Sequence, residues 1–100
     1  MIAMKIEAED GQLLVALQGE LDADNTSAFL QRVKAAHEAP AELVIDVANL
    51  EFIDSSGLSA FLKLRDTVIA GGGSFAVTGP TPAVRRVFDI AGLLDVFGLS

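Results

Sequence analysis

The sequence contains no cysteine, no tryptophan and no tyrosine, and it has only one histidine and seven basic residues. Without cysteine there is no disulfide framework, no thiolate metal site and no cysteine nucleophile. The single histidine, His37, is too little for a transition-metal site. Its place late in a helix-like segment suits a cation near a helix C-terminus. The missing tryptophan and tyrosine remove most platforms for stacking nucleic-acid bases. Seven bases against fourteen acids leave a net charge of -7, which disfavours phosphate backbones and anionic membrane. Long apolar runs are also lacking. The longest, Leu13 to Leu17, is far below the ~20 residues that span a bilayer. The opening segment MIAMKIEAED is too short in apolar residues for a signal peptide. Cytoplasmic residence is therefore the expectation, with no membrane insertion and no nucleic-acid partner.

What is present is a core. Apolar residues make up 51 % of 100 residues, enough for one packed domain over residues 1–100 and too few residues for two. The charge is uneven. Residues 1–54 hold eleven acids and three bases, and residues 55–100 hold three acids and four bases.

The hydrophobic pattern gives the order ββαβαβα. Met4, Ile6 and Ala8 alternate with charged residues up to Asp10-Gly11, a strong hairpin-turn pair. Gln12 to Gly19 is the return strand. Asp24, Asn25, Thr26 and Ser27 are candidate N-caps for a helix carrying Phe29, Leu30, Val33 and Ala36 at helical spacing and stopping near Pro40. Leu43 to Val47 reads as a strand, and Asn49 to Asp54 as a linker into a second helix that runs from about Ser56 to Ala70. Within that helix Arg65 falls on the apolar arc, where either its stem packs and its head reaches water or it borders a partner surface. Gly71-Gly72-Gly73 is expected to end the helix in left-handed conformations. Phe75 to Thr78 is the next strand. Thr81-Pro82 starts a third helix, Gly92 follows it, and the tail from Leu93 to Ser100 keeps apolar residues for docking. Helical crossovers require parallel pairing. The fold class is α/β, with a mixed sheet made of an antiparallel hairpin followed by parallel strands.

Catalytic sets are hard to find. The glycine run follows a helix and precedes a strand, the reverse of a dinucleotide loop, and no Walker pattern exists. Neither Ser55 nor Ser56 has glycine two residues away on both sides, so there is no nucleophile elbow. Glu20 and Asp22 share an extended segment, and nothing marks either as a buried acid. No enzyme activity, cofactor or metal is expected. The informative segment is Asp54-Ser55-Ser56-Gly57-Leu58. One hydroxyl suffices to cap a helix. With Ser55 as N-cap accepting the Leu58 N–H, Ser56 is free to face solvent, and Gly57 leaves bare backbone for another protein to approach.

Gly19-Glu20-Leu21-Asp22, Asp54-Ser55-Ser56-Gly57-Leu58, Gly79 to Val87 and Ala91-Gly92-Leu93 together resemble the STAS domain family, and within it the bacterial anti-sigma factor antagonists. The resemblance runs the length of the chain. It implies a protein whose unphosphorylated form binds an anti-sigma factor that is also a serine kinase, so that the sigma factor is freed. Phosphorylation of the second motif serine, Ser56, implies release, and a metal-dependent serine phosphatase implies recovery. The same resemblance places Glu20, Asp22, Asp54, Ser55, Ser56 and Gly57 at the partner surface. The expected partner is basic or polar and its association salt-sensitive. A monomer or weak dimer is expected. The competing readings are a STAS subunit of a transporter or signalling scaffold that binds constitutively, and a small enzyme or nucleotide-binding domain. Both serines are present, which argues against the former. The latter lacks a catalytic set.

Overall fold

The computed structural model describes residues 1–99; Ser100, the end of the expected tail, lies outside the described residues. Its element order is β1 (Ile2–Glu9), β2 (Gln12–Leu21), α1 (Thr26–Ala36), β3 (Glu42–Ile53), α2 (Ser55–Ala70), β4 (Phe75–Thr78) and α3 (Pro82–Ile90). The four strands lie in the order β1-β2-β3-β4. β1 and β2 are antiparallel, and the β2–β3 and β3–β4 pairs are parallel. This is the mixed sheet and the ββαβαβα order that the sequence predicts.

The hairpin turn is made as expected. Asp10 and Gly11 take φ values of 46° and 78°, the positive pair that matches strand twist in a two-residue loop. From β2 to β4 the strand order never reverses. Right-handed crossovers on an unreversed order place α1 and α2 on the same face of the sheet, and the two helices pack on each other. The order also lacks the reversal that opens a cofactor crevice in doubly wound folds.

One core joins this helical layer to the sheet. Leu13, Val15 and Leu17 of β2 and Leu43, Ile45 and Val47 of β3 face Phe29, Phe61 and Phe88 from the three helices, all of them buried. Phe61 is the hub, with ring centroids 5.8 Å from both Phe29 and Phe97 and 6.3 Å from Phe88. Phe97 comes from the tail, and its carbonyl accepts the Val77 N–H at 3.1 Å. The tail therefore docks through ring packing and also covers part of the β4 edge. The Cα radius of gyration, 12.3 Å, matches the ~13 Å expected for this length.

Several boundaries differ from expectation. α1 ends at Ala36, with His37 as its C-cap, four positions before Pro40. Of the glycine run only Gly72 is left-handed, at φ 88°; Gly71, the α2 C-cap, has φ -85°. The largest difference is β3. Asn49 to Asp54 is not a linker: β3 continues to Ile53, and β2 continues beside it to Leu21. Register shifts between Ala16 and Gln18 and between Gly19 and Glu20 mark irregular pairing there. Such irregularities break the period of two, which hides the strand from a pattern reading. The extra length carries the ends of β2 and β3 to the same edge of the molecule.

Candidate functional site

The parallel register sets Glu20 opposite Phe52 and Leu21 opposite Ile53. Past this point one chain turns into α1 and the other into α2. The Asp54 N–H donates to the Leu21 carbonyl at 3.3 Å, which closes the two loops against each other. Glu20, Asp22, Asp54, Ser55 and Ser56 are thereby gathered at the C-terminal edge of the parallel strands. Open α/β sheets present their binding loops at this edge.

Asp54 organises the start of α2. It is the N-cap, and its Oδ1 accepts the Ser56 N–H at 3.0 Å and the Gly57 N–H at 3.1 Å. The same oxygen accepts the Ser56 hydroxyl at 2.5 Å. The expectation that Ser55 caps the helix is corrected here. A carboxylate one residue earlier takes the free N–H groups, because an anion also gains from the positive end of the helix dipole. The Ser56 hydroxyl bond holds the Asp54 carboxyl below its ordinary pKa, burial opposes this, and the Gly57, Ser56 and Ala23 N–H groups reinforce it. Ser55 is exposed, while Ser56 is half-buried, with its hydroxyl engaged.

Gly57 corrects a second expectation. It is buried, and a Cβ built on it would sit 2.6 Å from Ile53 Cγ1 and 3.1 Å from Leu21 Cδ2. The missing side chain lets α2 settle onto the ends of β2 and β3. The close approach is inward, and Gly57 does not offer bare backbone to another protein.

The acidic loop has its own support. Asn25 is the N-cap of α1 by position, yet its side chain makes no cap bond. Its Oδ1 accepts the Asp22 N–H at 3.0 Å, and its Nδ2 donates to the Glu20 carbonyl at 2.9 Å. Asp22 Oδ1 accepts the Asp24 N–H at 3.0 Å. Asn25 thus staples Glu20 and Asp22 in place.

Two residues of this edge escape a sequence reading in functional terms, Asn25 and Phe52. The protein has six phenylalanines. Five of them pack ring against ring around Phe61 and Phe97. The sixth, Phe52, is 48 % exposed, beside Glu20 and two residues before Asp54. An aromatic next to the serine motif is the sequence signal that could have marked it. Among the described residues no group of three or more His, Cys, Asp and Glu is placed to hold a metal ion. No helix among them is long and apolar enough to cross a membrane.

Elsewhere in the molecule, Arg65 behaves as its position suggests. Its side chain is 35 % exposed, with Nη1 3.8 Å from the exposed Asp66 carboxylate.

These elements define a small α/β domain with a serine pair at the start of the helix after the third strand. The STAS domain family model matches residues 3–100, and the chain belongs to that family. It is similar to an anti-sigma F factor antagonist of Paenibacillus polymyxa, 33 % identical over 97 residues that cover 95 % of this chain and 83 % of the relative. An anti-sigma factor antagonist from Mycobacterium paratuberculosis has a similar crystal structure, with TM-score 0.84 and 31 % identity over 97 % of this chain and 83 % of that one. The Bacillus cell fate determinant SpoIIAA in its phosphorylated form matches with TM-score 0.72 and 26 % identity, covering 91 % of this chain and 85 % of the other.

Proposed function

We propose that this protein is an anti-sigma factor antagonist that works by partner switching. Unphosphorylated, it binds an anti-sigma factor that is also a serine kinase, and the sigma factor is freed. Phosphorylation of Ser56 ends that interaction, and a serine phosphatase restores it. The observation that carries this reading is the placement of Ser56 on an edge that also presents Glu20, Asp22, Ser55 and the exposed Phe52. The relatives named anti-sigma factor antagonists, and a solved relative in phosphorylated form, support it.

The chemistry of the edge suits such a switch. A phosphoserine adds about -1.5 to -2 charges at neutral pH. At the start of α2 the helix dipole favours that charge by roughly 0.3–1 kcal/mol, so the fold tolerates it. Within an interface an unpaired dianion costs several kcal/mol, and ~2.7 kcal/mol already lowers affinity a hundredfold. Phosphorylation therefore acts on binding and leaves stability little changed.

The test begins with capture of an anti-sigma factor from source-cell lysate on the immobilised protein, followed by its purification. The complex is then incubated with ATP. Expected are one added phosphate by intact mass, mapped to Ser56 by peptide sequencing, and dissociation of the complex. Phosphate on a different residue, or a complex indifferent to ATP, removes the proposal. Capture of a transporter subunit points to the constitutive scaffold instead.

A further inference from the structure

We infer that the free edge of β1 is a self-pairing surface, at which two copies of this chain join antiparallel about a two-fold axis through Ile6. Such a pair presents two serine-bearing edges at once. The inference goes beyond the partner-switching reading and stands independently of it.

β1 ends the sheet, whereas part of the opposite edge, β4, is covered by the Val77–Phe97 bond of the tail. Edge strands are commonly blunted by proline, by bulges or by charges that point inward. β1 has none of these. It lacks proline, its register with β2 is unbroken from Ile2 to Glu9, and its charged residues Lys5, Glu7 and Glu9 are all exposed. The other face of the strand carries Ile2, Met4 and Ile6, partly buried against the core. The Glu20 N–H donates to the Met1 carbonyl at 2.9 Å, which marks the odd positions as the ones bonded to β2. Hydrogen-bonded and non-hydrogen-bonded pairs alternate along an antiparallel ladder. The N–H and C=O groups of Ile2, Met4, Ile6 and Ala8 therefore point away from β2, out of the sheet edge.

The remaining protective device is exposed charge, and on β1 that charge is self-complementary. A two-fold axis through Ile6 pairs Ile6 with its own copy and Met4 with Ala8, all of them positions whose backbone groups face outward. It also sets Lys5 of each chain directly opposite Glu7 of the other. These fall in non-hydrogen-bonded pairs, where side chains come closest. Lys5 and Glu7 already meet within one chain, with Nζ 3.0 Å from Oε1, so the four groups alternate in sign around the axis. Neighbouring registers lose this match. An axis through position 5 sets Lys5 against Lys5, and one through position 7 sets Glu7 against Glu7; like charges directly opposite destabilise. A slip of one residue pairs side chains from opposite faces. Charge and pleat together select one register. The two-fold axis reverses strand direction, so the two Ser56 edges lie at opposite ends of the joined sheet, clear of the contact. Pairing along one strand buries less than the ~1,600 Å² of a standard stable interface, and the net charge of -7 on each copy opposes it. The pair is therefore weak and forms at high local concentration.

Sedimentation velocity of the purified chain from about 10 µM to about 1 mM tests this. The parent is expected to shift toward dimer mass across that range. Lys5→Glu and Glu7→Lys each bring like charges together, at exposed positions outside the core. Each should weaken self-association by at least about tenfold. An equimolar mixture of the two variants should restore association, because every acid at these positions then faces a lysine. Lys5→Glu mixed with Glu9→Lys, which has the same net charge as Glu7→Lys, should associate more weakly. NMR amide exchange reads the register. At high concentration Met4, Ile6 and Ala8 should exchange more slowly than in dilute solution, while Lys5 and Glu7 stay unchanged. A chain that is monomeric at about 1 mM overturns the inference. So does equal association in the two mixtures, or a dimer in which the Ile6 amide is unmoved.

Discussion

Asp54 and Ser56 are joined twice, since the carboxylate oxygen of the first accepts both the backbone N–H and the hydroxyl of the second. The helix start and the Ser56 side chain are thus fixed by a single oxygen. Removing that oxygen by Asp54→Ala is expected to cost about 0.5–2 kcal/mol, as for other lost N-caps. Asp54→Asn is expected to cost less. Urea unfolding of the three proteins measures this, and an Ala variant as stable as the parent shows that the cap contributes nothing.

The same bond gives a pH dependence. The folded carboxyl of Asp54 titrates below its ordinary value of 3.8, chiefly because of the Ser56 hydroxyl. Its contribution to stability is therefore fully present above that value and is lost as pH falls through the lower folded pKa. The stability gap between the parent and Asp54→Asn should shrink as urea unfolding is repeated from about pH 6 down to about pH 2.5. Ser56→Ala removes the main cause of the shift. It should move the Asp54 carboxyl resonance upward in a titration followed by NMR, and an unmoved midpoint contradicts the assignment.

Gly57 supplies a test whose sign decides. Glycine to alanine in an exposed helix stabilises by up to ~1 kcal/mol. Here the added Cβ would meet Ile53 Cγ1 at 2.6 Å, so overpacking of about 1–3 kcal/mol should outweigh that gain. Gly57→Ala is expected to lower the thermal midpoint. A raised midpoint shows that the position is open, as a reading of the motif alone suggests.

The contrast at Gly57 shows where sequence reasoning reaches and where it stops. Strand and helix order followed from periodicity, and the Thr81 cap with Pro82 behind it is as expected, its hydroxyl accepting the Val84 N–H at 3.2 Å. The Asp-Ser-Ser-Gly motif marked the candidate site. Its internal roles were not legible, because three adjacent polar residues could each cap the helix, and only the bonds that the Asp54 carboxylate accepts from the Ser56 and Gly57 N–H groups assign the cap. The ends of β2 and β3 were hidden for a different reason. Register shifts disrupt the pairing there, so Leu50 and Ile53 are both buried three residues apart. That spacing departs from the period of two that marks a regular strand. Phe52 consequently read as linker.

The charge state of Ser56 should govern partner affinity with little effect on folding. Ser56→Ala is expected to bind the captured anti-sigma factor like the parent and to resist inactivation by ATP. Ser56→Asp, with one added negative charge, should bind at least about tenfold more weakly, a loss of ~1.4 kcal/mol. Calorimetric titration of both variants and of phosphorylated protein decides the matter, and three equal affinities sink the mechanism.

Phe52 should separate contact from charge on the same edge. Its ring is half exposed while the other five phenylalanines pack together, so Phe52→Ala removes little buried area and should leave the urea midpoint nearly unchanged. Burial of an exposed aromatic at the centre of an interface is commonly worth more than about 1 kcal/mol. The variant should therefore bind the anti-sigma factor at least about fivefold more weakly, with the loss in the dissociation rate. Glu20→Gln should act differently, because a charge at the rim of an interface works mainly through association. Its expected effect is a slower association rate and a flatter dependence on salt. Stopped-flow or surface-binding kinetics at two salt concentrations reads both effects. Identical salt slopes for the parent and Glu20→Gln remove Glu20 from the docking surface, and an unchanged dissociation rate for Phe52→Ala does the same for Phe52.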